Sequence, residues 1–64
     1  MISREKAIKI ALSEMPSKGY KVDLVKYIKS DNIWVIATSK NGKGFQVELD
    51  ANTGRVVGGA GGAP

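Results

Sequence analysis

Histidine and cysteine carry much of the chemistry done by small proteins at neutral pH, and this chain has neither. No imidazole is available as a general base or neutral metal ligand, and no thiolate as nucleophile, zinc ligand or disulfide partner. Six acidic and ten basic side chains remain among 64 residues. One short polar segment is Asp50-Ala51-Asn52-Thr53-Gly54. A reading of Asp50 as catalytic acid or metal ligand is set aside, because no convergent ligand set or acid–base partner can be assembled around it. The same residue types suit a chain reversal. A carboxylate accepts backbone N–H bonds, asparagine tolerates left-handed geometry and glycine supplies positive φ, so Asp50, Asn52, Thr53 and Gly54 are expected to build a structural turn. Glu5 and Glu14 lie about two and a half helical turns apart and cannot serve one substrate. Lys43-Gly44-Phe45-Gln46-Val47 begins like an RNA-stacking strand, but Gln46 and Val47 replace the small residue and second aromatic that stacking needs. The glycines from 58 to 62 have no helix after them to form a phosphate cradle. No catalytic residue, metal ligand or cofactor is assigned, and the chain is not expected to be an enzyme.

Length allows one small domain and excludes a two-lobed or nucleotide-binding α/β enzyme. The net charge of +4 favours an anionic partner. However, the lysines at 6, 9, 18, 21, 26, 29, 40 and 43 are dispersed among acids, with no basic run. Nucleic acid is therefore disfavoured as a partner, and a small basic nucleic-acid or anionic-surface binder is kept as the alternative function. No apolar stretch reaches the ~18 residues of a membrane span. Charges within the first nine residues leave no secretory signal peptide to be read in this chain, and localisation stays open.

The elements that position these residues follow from periodicity. Residues 1–15 read as a helix, with Ser3 as N-cap, Glu5 in the first turn, and Ala7, Ile8, Ala11, Leu12 and Met15 forming one apolar stripe. Pro16 and Gly19 end it. From residue 20 the period is two. Strands are expected at 20–29, 33–39, 45–50 and 55–57, with Asn41-Gly42 as the strongest hairpin signal. Residues 58–64, rich in glycine, are expected to form a flexible tail or linker after a single domain at 1–57. The fold class is α+β: one N-terminal helix packed on an antiparallel three- to four-stranded meander, in the order α-β-β-β-β.

The helix with its Ala7-x-x-x-Ala11 spacing, and the ending Val47-Glu48-Leu49-Asp50-Ala51-Asn52-Thr53-Gly54-Arg55-Val56, resemble the PepSY domain family. That family closes on Val-Asp-Ala-x-Thr-Gly-x-Val, and the resemblance spans residues 3–57. It implies a non-catalytic module of the kind found in metalloprotease propeptides and in bacterial and archaeal envelope proteins. Such modules bind or restrain peptidases, or act as envelope sensing modules. The implied partner is a protein, a peptidase or an adjacent domain of a parent chain, and the implied setting of an excised module is extracytoplasmic.

One feature resists the simple two-layer picture. Both faces of the hairpin at 20–39 are apolar, whereas an antiparallel sheet with one wet face alternates cleanly. A bulge near Leu24–Lys26 that swaps parity, or strong curling of the sheet, would account for this. The functional reading makes Val25, Tyr27, Trp34 and Ile36 a partner-binding patch for another protein or a second copy in a homodimer.

Overall fold

The computed structural model describes residues 1–62. It contains one helix, α1 (Arg4–Ser13), followed by β1 (Lys21–Ile28), β2 (Ile33–Lys40), β3 (Lys43–Asp50) and β4 (Val56–Gly62). The strands form a single antiparallel sheet in the order β1-β2-β3-β4, so the meander has four strands.

The helix starts where its first unpaired N–H groups find a partner. Ser3 is extended, and its Oγ accepts from the Lys6 N–H at 3.0 Å while its carbonyl takes the Ala7 N–H. Regular geometry ends earlier than periodicity alone suggests, at Ser13, with Glu14 as C-cap two residues before Pro16. Ala7 and Ala11 have no accessible surface, because their small side chains let the helix backbone settle onto the sheet. The core beneath them is Ile36 from β2 with Val47 and Leu49 from β3, and Ile2, Ile10, Met15, Val22, Val25 and Trp34 pack around it. Ile10 thus belongs to the packed side, while Ile8 and Leu12 lie at its half-exposed margins. The helix contacts β2 most, touches β1 and β3, and stops short of β4.

Asn41 and Gly42 both have positive φ (52° and 79°), the twist-matched two-residue turn expected between β2 and β3. The β1–β2 turn closes with the Asn32 N–H on the Lys29 carbonyl and Asn32 in the left-handed region. In β1 the register against β2 slips between Val22 and Leu24. Val22, Val25 and Tyr27 consequently pair with Thr38, Ile36 and Trp34, and all six project to the helix side.

The expected glycine-rich tail is corrected. Gly58 to Gly62 continue β4 and pair with β3 as far as Gly44↔Gly62, while 63–64 lie outside the described residues. Composition had suggested that so few side chains could not order the segment, but neighbouring side chains of β3 fill the space. A methyl group placed on Gly61 would overlap the Phe45 ring, and one on Gly58 would meet the Glu48 carboxylate. Large side chains lying over glycines on the next strand supply the packing the glycines lack.

Candidate functional site

The two candidate regions are the turn built by Asp50 and its neighbours and the sheet face turned away from the helix. In the turn, Asp50 Oδ1 accepts the backbone N–H groups of Asn52 at 2.8 Å and Thr53 at 3.0 Å. The Gly54 N–H returns to the Asp50 carbonyl at 2.8 Å, and the Asp50 N–H donates to the Arg55 carbonyl. Thr53 Oγ1 accepts the Arg55 N–H at 3.2 Å. The N–H groups of Thr53 and Asn52, in that order, hold the Asp50 carboxyl below its usual value of 3.8; partial desolvation opposes them and the Thr53 hydroxyl assists. This carboxylate is committed to the backbone around it.

The turn also ties the N-terminal residues to the β1–β2 turn. Ala51, fully buried, donates its N–H to the Asn32 carbonyl and accepts the Ile2 N–H at 2.7 Å. Gly54 is buried under the start of the helix at φ +79°, where a Cβ would come within 2.8 Å of Ile10 Cδ1. One short segment therefore joins the β1–β2 turn, the N-terminus and the entry to β4.

Of the residues expected to form a docking patch, Ile36 is corrected: it has no accessible surface and belongs to the core. Val25, Tyr27 and Trp34 share its side of the sheet and are half-buried there. The Tyr27 hydroxyl donates to Asn32 Oδ1 at 2.8 Å, and its ring tilts against the indole with centroids 5.5 Å apart. Trp34 Nε1 is buried without a partner among the described residues, as befits an indole whose body serves packing. Parity explains the difference. The slip at Val22/Leu24 turns Val25 and Tyr27 inward and leaves Leu24, Lys26 and Ile28 outside.

The outward face is where the leftover apolar surface lies. Leu24 stands opposite Ala37, and Ile28 opposite Ile33, with Val35 between them on β2. Leu24 is 51% exposed, and the other four are half-buried although, among the described residues, no element covers this side. Lys26 and Glu48 flank Val35 in one cross-strand row. Periodicity missed this patch because its residues alternate with the core, and a one-residue slip decides which set is which.

At the β2–β3 hairpin end, Lys40 and Lys43 stand opposite each other, with Lys18 and Lys21 close by. Lys40 Nζ is engaged by Ser17 Oγ at 3.0 Å, by the Lys18 carbonyl and by the Tyr20 ring. Lys21 lies 3.9 Å from Asp23. Among the described residues, no three His, Cys, Asp or Glu side chains gather as a metal site, and no helix is long and apolar enough to cross a membrane.

Comparison with known proteins agrees with the turn and the architecture. The family model for PepSY, described as "Peptidase propeptide and YPEB domain", matches residues 1–59. No curated protein and no solved structure matches the chain. The match takes in the capped helix, the paired alanines, the meander and the Asp50–Gly54 reversal; the chain belongs to the PepSY family.

Proposed function

We propose that this PepSY domain is a non-catalytic docking module that holds a peptidase against the outward face of its sheet. The supporting observation is the contiguous set Leu24, Ile28, Ile33, Val35 and Ala37 on a face that none of the described residues covers. An antiparallel sheet with a permanently wet face carries polar residues there. Apolar residues gathered on it mark a surface completed by another molecule. The family description, a peptidase propeptide domain, is the reason for naming a peptidase. The turn at Asp50 has the supporting role of locking the frame that presents this face.

The test is inhibition of a thermolysin-type metallopeptidase acting on a fluorogenic peptide, with the purified domain as inhibitor. Leu24→Glu combined with Val35→Thr alters the face while leaving the core untouched, and a thermal melt verifies folding. The expected result is inhibition by the native sequence and at least a tenfold weaker effect in the double variant. Equal inhibition by the two proteins would remove the outward face from the reading. No inhibition by the native domain at hundreds of micromolar would remove the peptidase.

A second reading has one observation in its favour: the four lysines gathered at the hairpin end could engage a polyanion. Retention on heparin that falls steeply with salt, and falls again in Lys21→Ser/Lys43→Ser, would favour it. Retention unchanged by those substitutions would count against it.

A further inference from the structure

The two edges of the sheet are built differently. β1 and β4 are its outer strands, so each turns the N–H and C=O groups of alternate residues away from the sheet, toward no partner among the described residues. β1 guards its edge with exposed charges at Lys21, Asp23 and Lys26 and with the slip after Val22. β4 has no charged residue from Val56 to Gly62. Its own register slip comes early, before Gly58, so residues 58–62 pair regularly with β3 and leave a regular free edge. A neutral, regular edge accepts a further strand, whereas a charged one repels it.

Beside that edge, on the helix side, a groove of about 320 Å³ opens between the end of α1 and β4, because the helix stops short of the last strand. Met15, Phe45, Val47 and Val56 give it apolar walls, and the backbone of residues 58–61 forms its rim. Among the described residues, the charged one lining it is Glu14, the C-cap of α1. A carboxylate at a helix C-terminus opposes the macrodipole, and the last turn of α1 holds no basic side chain to offset it. Glu14 forms no ion pair among the described residues, where Lys21–Asp23 is the pair formed. Helix stability gives no reason for an acid at this place; a cation entering the groove does. From these features we infer that β4 takes an extended peptide segment of another protein as a fifth strand. That segment carries an apolar side chain for the groove and, two positions away, a lysine or arginine for Glu14. Residues two apart share one face of a strand at a spacing of about 7 Å, so both side chains reach the helix side together.

This inference stands apart from the outward face, which lies on the other side of the sheet. The probe is a hexapeptide with threonine on one face and lysine, phenylalanine and valine on the other, titrated into the isotope-labelled domain and followed by amide NMR shifts. Binding at or below about 1 mM is expected, with the shifts concentrated at Val56–Gly62 and Met15. An added strand pairs through one of its two edges. Of two peptides N-methylated at alternate sets of backbone nitrogens, one is therefore expected to bind at least about tenfold more weakly and the other within about threefold of the parent. Alanine in place of the phenylalanine, and Glu14→Lys in the domain, are each expected to weaken binding at least about threefold. Leu24→Glu/Val35→Thr is expected to leave it unchanged, which separates this edge from the docking face. No binding at about 1 mM overturns the inference, as do two methylated peptides that behave alike or shifts centred on Leu24 and Val35. β4 amides that shift with protein concentration in the absence of peptide overturn it as well, because a second copy then takes the edge.

Discussion

Replacing Gly54 by alanine probes the joint between helix and sheet with a magnitude that geometry supplies. Two independent costs arise. At φ +79° a residue with a Cβ is strained by roughly 1–2 kcal/mol. The new methyl group would also stand 2.8 Å from Ile10 Cδ1, so the end of that side chain must swing off its packed rotamer, for about 1 kcal/mol more. The sum, about 2–3 kcal/mol, is a large part of the roughly 3–10 kcal/mol expected for a domain of this length. Gly42 is the control. It has the same φ, +79°, but nothing within 4 Å of the Cβ position, so Gly42→Ala should cost only the strain. Urea unfolding followed by Trp34 fluorescence measures both, and the difference isolates packing. A further variant sharpens the test. Ile10→Val deletes the Cδ1 atom that the new methyl meets, so Gly54→Ala and Ile10→Val together should cost about 1 kcal/mol less than the sum of the two alone. If Gly54→Ala and Gly42→Ala are equally destabilising and Ile10→Val shows no coupling, the close seating of the helix on the signature turn is refuted.

Three other outcomes follow from the same fold. Because backbone N–H groups hold the Asp50 carboxyl below 3.8, its contribution to stability is complete above the usual aspartate value and is lost as pH falls through the lower folded value. NMR shifts of the Asn52 and Thr53 amides should report that low titration, and Asp50→Asn should flatten the acid limb of stability; an unchanged acid limb counts against the turn as its source. Trp34→Phe removes an unpaired buried N–H, which offsets the packing lost, so stability should change by less than about 1 kcal/mol, whereas Trp34→Ala should cost about 3 kcal/mol. Peptidase inhibition should be unaffected by Trp34→Phe if docking uses the opposite face. Deleting residues 58–64 should lower stability by about 1–3 kcal/mol, since several net backbone bonds to β3 are lost and only the ordering cost is recovered; a deletion without effect would mean that this segment is not a strand.

The elements that are governed by local chemistry were legible in the sequence. Ser3 caps α1, Ala7 and Ala11 mark its buried stripe, Asn41-Gly42 closes a hairpin, and Asp50 to Gly54 reverse the chain, each because neighbouring residues alone determine the geometry. Features set by distant partners were not. β4 from Gly58 onward has no side-chain signal of its own; Phe45 and Glu48 on β3 supply what packs over it. The link from Ala51 to both Asn32 and Ile2 joins residues far apart in sequence. The expected patch of Val25, Tyr27, Trp34 and Ile36 falls on the helix side of the sheet because a count of two cannot register one additional residue in β1.

That additional residue sets the character of the whole molecule. With the slip between Val22 and Leu24, β1 turns Val22, Val25 and Tyr27 toward the helix, although uninterrupted alternation would send Val22 and Val25 to opposite faces. The core gains a valine that a regular strand could not supply, and Leu24 goes outside beside Lys26 and Ile28. A helix of ten residues is about 15 Å long and shields one side of three strands at most, and none of the described residues covers the other side. On β2 that uncovered side is occupied by Ile33, Val35 and Ala37, positions where threonine or a charged residue would serve an isolated domain equally well in strand geometry. Aliphatic side chains there contribute little while the face is wet and much once it is covered. In the proposed docking role these aliphatic residues belong to a surface that a partner would complete.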